Sequence, residues 1–240
     1  MRLRICGIRN LLLLATAISP AFGATINWTT WTAHPTATSV DGTLTVGSTP
    51  VSISYSGEVA FAQLNGTGAN FYQPLTTFTA PPAVTNAPPP DMIAIDGTAT
   101  NHVITFGTAV VDPVMEIVSL GRPSVGTQYS FSLGSGQSMS ILAQGPSSAF
   151  GGCNTCLTLS GSTITGFEGD GLIQFTGTFS SLNWTGANPE FWNGITFGVT
   201  GLPGGTGGGG GSGVPEPATW GTILLALVAG AGVARARRRA

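Results

Sequence analysis

The chain has 240 residues, enough for one sizeable all-β domain. Only 8% of them are charged, far below the usual quarter, whereas Gly 36 and Pro 16 exceed average usage. No lysine occurs and Arg122 is the one arginine between residues 10 and 234, so nucleic-acid binding, which needs clustered cations against phosphates, is excluded. Disorder is also disfavoured. The chain is 42% hydrophobic, and its abundant Thr, Val, Ile and Phe suit pleated, half-buried strands.

Arg2, Arg4 and Arg9 precede an apolar stretch from Leu11 to Ile18. Ala21 and Gly23 then place small side chains ahead of a cut between Gly23 and Ala24. This is the layout of a secretory signal peptide over residues 1–23. An uncleaved anchor is the alternative, but the apolar run is short for a bilayer.

From residue 24 to 202 the chain reads as short alternating runs between turn residues. Candidate strands are INWTTWT (26–32), TLTV (43–46), VSISYS (51–56) and HVITF (102–106). VMEIVSL (114–120), TQYSFSL (127–133), SMSILAQ (138–144) and LTLS (157–160) follow. STITGF, LIQFTGTFSSLNW and GITFGV carry the pattern to Val199. In TQYSFSL, Tyr129, Phe131 and Leu133 share one face. Period-two alternation without helical periodicity predicts an all-β body, an antiparallel β-sandwich of jelly-roll type. PPAVTNAPPPD (81–91) is too proline-rich for a strand and reads as an exposed loop within one sandwich, with two small β domains as the alternative. No fixed repeat period of the solenoid kind is present.

Cys153 and Cys156 remain once Cys6 leaves with the signal peptide. An even pair in an oxidising compartment makes a local disulfide the default. A redox role would want a helix opening after a strand, and zinc would want two more ligands; His34 and His102 lack ligand spacing to the pair. His34 sits in a loop-like stretch before Pro35, and His102 opens a strand. The common hydrolase signatures are missing.

Glu168 and Asp170 sit two apart in FEGDG. Two carboxyls could serve a glycosidase or help to hold calcium, but Gly171 and Asp170 fit a tight turn between STITGF and LIQFTGTF without a ligand. Trp28 and Trp31, three apart, point to opposite faces of an ideal strand. Trp184 and Trp192 suit core or edge packing, although an exposed Trp could stack on a sugar ring.

Beyond the body, residues 203–213 are almost all glycine, a flexible tether. Residues 218–234 form an apolar segment at the lower limit for a membrane-spanning helix. Arg235, Arg237, Arg238 and Arg239 follow directly and, by the positive-inside rule, stay cytoplasmic. A simple tail anchor would account for this much.

Pro215, Glu216 and Pro217, with Trp220, the short apolar segment and the arginine cluster, resemble the PEP-CTERM sorting signal over residues 214–240. That resemblance implies an exported protein of a Gram-negative bacterium, held in the inner membrane until an exosortase-type transpeptidase processes the tail. It further implies residence at the cell surface or in an extracellular polysaccharide matrix. The aromatic-rich stretch 165–199 is similar to the C-terminal part of β-rich bodies found on such proteins, which implies no known activity.

The expected function is therefore a non-enzymatic surface or matrix protein with no cofactor. A carbohydrate-binding, lectin-like module is the alternative, marked by an exposed aromatic cluster beside carboxylates. A secreted hydrolase using Glu168 or Asp170 stands behind both, marked by a deep cleft with two carboxyls.

Overall fold

The computed structural model describes residues 25–96, 101–188 and 191–204. The signal peptide, the cleavage pair Gly23 and Ala24, nearly all of the glycine tether and the whole of residues 214–240 lie outside the described residues. Among the described residues, no helix is long and apolar enough to cross a membrane.

The described chain is all-β apart from one short helix. The strands run β1 (Asn27–Trp28), β2 (Thr30–Thr36), β3 (Ser39–Val46), β4 (Thr49–Ser56) and β5 (Phe61–Gln63). After helix α1 (Leu75–Phe78) come β6 (Met92–Ile95), β7 (Asn101–Val111), β8 (Val114–Leu120), β9 (Thr127–Phe131) and β10 (Ser138–Gln144). The last five are β11 (Leu157–Ser160), β12 (Thr163–Gly166), β13 (Gly169–Thr176), β14 (Thr178–Ala187) and β15 (Asn193–Val199). Most of the predicted runs became strands, but INWTTWT divides into β1 and β2 and LIQFTGTFSSLNW into β13 and β14, the members of each pair lying in different sheets; β5, β6 and α1 were too short to announce themselves.

Two antiparallel sheets result. One has seven strands in the order β10-β13-β8-β15-β6-β5, with β1 beside the far end of β15. The other has eight, in the order β11-β12-β9-β14-β7-β4-β3-β2. Their inner faces meet across one core: Phe131 of β9 lies 4.9 Å from Phe175 of β13, and Trp184 of β14 lies 6.0 Å from Phe197 of β15. Tyr129 donates its hydroxyl to Asn193 at 2.7 Å, and Trp31 Nε1 donates to Thr196 at 3.1 Å, tying the sheets at polar points. In β9, Tyr129 and Phe131 are buried and Leu133 packs on the same cluster, as alternation predicted.

Three expectations change. β8 and β15 do not alternate; every residue in them is buried. The proline-rich segment is the reason, because it is not simply exposed. Val84 packs with Ile26, Val114 and Leu172, while Tyr72 and Phe78 pack on Val118, so the irregular chain roofs the outer face of the seven-stranded sheet. Beneath that roof Glu116 is fully buried, and burial raises its pKa well above the ordinary range.

Second, the GDG glycines do not make the turn. Gly169, Asp170 and Gly171 belong to β13, and the reversal falls at Phe167–Glu168, where Glu168 itself adopts φ 60°. Nor is it a hairpin, since β12 belongs to the eight-stranded sheet and β13 to the seven-stranded one. The glycines serve close approach: a Cβ on Gly169 would sit 2.2 Å from Leu157 Cδ2, and one on Gly171 2.4 Å from the Ala143 carbonyl oxygen. Third, His34 is not in a loop. It is exposed on β2, an edge strand where Pro35 removes no needed ladder bond.

Candidate functional site

The site forms at one end of the seven-stranded sheet, where β8 ends, β13 begins and β15 begins. Ser119 lies near the end of β8 and, like Glu168, adopts a left-handed backbone at φ 60°. Such a conformation costs about 1–3 kcal/mol for a non-glycine residue and persists only where the surroundings impose it. Asp170 imposes it here. It is fully buried, and its Oδ1 accepts the Ser119 backbone N–H at 2.9 Å. The Ser119 hydroxyl in turn donates to Glu168 Oε1 in a very short hydrogen bond. Asp170 thus holds Ser119, and Ser119 aims the Glu168 carboxylate.

Burial is the main cause that pushes the Asp170 carboxyl up to about 7. Hydrogen bonds from Ser119 and Ser147 oppose the rise, and the charge of Glu168 adds to it. At neutral pH Asp170 is therefore about half protonated. Of the two carboxyls, only Glu168 reaches solvent.

Two adjoining pockets share Glu168 and Phe150 as lining residues. The larger, about 470 Å³, runs past Pro123, Phe167 and the disulfide. The smaller, about 230 Å³, holds Ser119, Arg122, Phe191 and Trp192. Together they make one groove, its middle marked by the carboxylate. Trp192 is the centre of an aromatic group, 5.1 Å from Phe150, 5.3 Å from Phe61 and 5.7 Å from Phe71 between ring centroids. These rings are half-buried or exposed, and Phe191 beside them is 86% exposed. Contiguous exposed aromatics of this sort mark interaction sites more often than idle surface.

Cys153 and Cys156 form the expected disulfide and wall the larger pocket. Trp184 is a core residue, stacked on the fully buried His102 at 5.2 Å, and has no place in the groove. Trp28 and Trp31 do face opposite ways, Trp28 toward the roofed outer face and Trp31 into the central core. They belong to different strands, so the cause is a change of sheet at Thr29 rather than the pleat of one strand. His102 accepts or donates a 2.7 Å bond with the Tyr55 hydroxyl and lies 3.6 Å from Glu58 Oε1. Burial lowers its pKa to about 4, so it is neutral at physiological pH.

Among the described residues, no group of three or more His, Cys, Asp or Glu is placed to hold a metal ion. The sequence singles out Glu168, Asp170 and Trp192 as candidates, notes Arg122 and Phe191 without giving them a site, and does not mark Ser119 or Phe150. No spacing rule joins these residues, since they come from four separate segments.

The site is thus an open aromatic groove with a positioned carboxylate, on an all-β scaffold of two antiparallel sheets. In comparisons with family models, curated proteins and solved structures, nothing matches this chain.

Proposed function

We propose that this is an exported, non-enzymatic surface or matrix protein whose groove binds a saccharide of the surrounding polysaccharide. One observation supports this reading above the others. Trp192 stands just before the start of β15 and Val199 ends it, so groove and tail exit occupy opposite ends of one strand, roughly 20 Å apart at ordinary strand rise. β1 pairs with the tail end of β15, Asn27 against Val199, so the N-terminal segment enters there too. A body tethered through its C-terminus would present the groove outward, away from the membrane.

The composition of the groove fits a sugar. Aromatic faces take the apolar side of a pyranose ring, and a fixed carboxylate accepts from its hydroxyls. Asp170 is fully buried, so of the two carboxyls only Glu168 opens toward solvent, which favours binding over acid–base hydrolysis. The body is read as a jelly-roll-like sandwich. The tail carries the remaining part of the proposal: Pro215, Glu216 and Pro217 as the motif read by an exosortase-type transpeptidase, residues 218–234 as a transient inner-membrane span, and the terminal arginines as its cytoplasmic stop.

A glycan array probed with the full chain in detergent, with and without calcium, tests the binding. A defined set of saccharide signals is expected, weakened by Trp192→Ala. Silence across the array would sink the saccharide reading. For the tail, Glu216→Ala is expected to leave unprocessed, membrane-held protein in the native host; normal processing and release would count against sorting.

A further inference from the structure

We infer that Arg122 makes the groove selective for saccharides that carry a carboxylate, that is, for uronic acid residues. The inference rests on the saccharide reading of the groove and specifies its ligand class.

Arg122 is the only lysine or arginine among the described residues; their other ionisable side chains of ordinary pH range are carboxylates and two histidines. A chain with one cation could place it anywhere on its surface. It stands in the smaller pocket, exposed, beside Trp192, Phe191 and Glu168. Among the described residues no carboxylate lies within 4.0 Å of the guanidinium; the one acid–base contact at that range is between Glu58 and His102, which is neutral at physiological pH. Its backbone is pinned as well. Arg122 N donates to the Val125 carbonyl at 3.0 Å and Val125 N to the Arg122 carbonyl at 3.1 Å, closing a four-residue turn that contains Pro123.

The partner of this cation follows from what the pocket also holds. Glu168 accepts hydrogen bonds only, and one of its oxygens is already engaged by Ser119. A ligand must therefore bring hydroxyl donors to Glu168, an apolar ring face to Trp192 and an anion to Arg122. A pyranose with a carboxylate at one end supplies all three. A guanidinium fork matches a carboxylate through two parallel hydrogen bonds, which a neutral hydroxymethyl group cannot reproduce. Selection acts at contact range rather than by steering, because the described body is weakly acidic as a whole and does not attract polyanions from a distance.

The test uses the full chain in detergent. It titrates oligosaccharides of galacturonate, glucuronate and mannuronate against their methyl esters, which keep the ring and lose the charge. Calorimetry is expected to show at least one free acid bound about tenfold or more tighter than its ester, the usual scale of a charge-assisted pair. Arg122→Met should remove that preference, and Arg122→Lys should retain part of it. Equal affinity for acids and esters, or a preference that survives Arg122→Met, overturns the inference while leaving the groove a saccharide site. Failure of every acid and every ester, with neutral sugars bound on the array, also overturns it. Failure on both measurements removes the saccharide reading itself.

Discussion

Ser119 and Glu168, joined side chain to side chain beside the groove, both hold a left-handed backbone that neither residue type favours. Two such residues in contact, with a buried Asp170 fixing one of them, store strain where a ligand would bind. Strain of this kind is retained at functional sites because it places a side chain that relaxed backbone would not.

Glu168→Asn follows from that relationship. Asn tolerates the left-handed region far better than Glu, so the variant is expected to be as stable as the parent or up to about 1 kcal/mol more stable. Its shorter side chain ends the contact with Ser119, and saccharide affinity should fall at least tenfold. Thermal unfolding and calorimetry read the two effects separately. A loss of stability together with unchanged affinity would contradict the assignment.

The two tryptophans offer a second contrast. Trp184→Ala empties the central core and should cost about 3–5 kcal/mol. Trp192→Ala removes a half-buried ring and should cost under about 2 kcal/mol while abolishing quenching of the groove by ligand. If Trp192→Ala proved the more destabilising of the two, its role would be structural.

pH should expose two opposed buried groups. His102 is held at about 4 by burial, below its unfolded value of 6.5. Its contribution is complete above pH 6.5 and is lost as pH falls toward 4, about 3 kcal/mol in all. Asp170 is raised by burial from 3.8 to about 7. Its contribution is complete below 3.8 and is lost as pH rises to 7, about 4 kcal/mol. Glu116 and Asp91, also raised by burial, act in the same direction as Asp170. Urea midpoints from pH 4 to 7 should therefore decline more steeply with rising pH in His102→Gln and more shallowly in Asp170→Asn. The same slope in both variants would refute this account.

Glu116 is the clearest candidate for stabilisation. Neither of its carboxyl oxygens has a hydrogen-bond partner, and the residue is fully buried under the irregular roof. Glu116→Leu replaces two unsatisfied oxygens by apolar volume and should raise stability by about 1–3 kcal/mol at pH 7. A destabilised variant in chemical denaturation would show that the carboxyl is better satisfied than its surroundings indicate.

The strands were legible because a sheet with one wet face writes period two into its sequence, as in Tyr129, Phe131 and Leu133. The disulfide was legible from a spacing of three residues. Each of these is a short-range property. What only the tertiary structure decided depends on chain meeting chain far apart in sequence. The roof over β8 and β15 erased their alternation, the change of sheet at Phe167–Glu168 moved the turn off the glycines, and four distant segments built the groove. No local pattern could report that Asn27 pairs with Val199, or that Ser119, Phe150 and Glu168 meet Trp192 at the other end of β15, because those relations exist only once the sheets have formed.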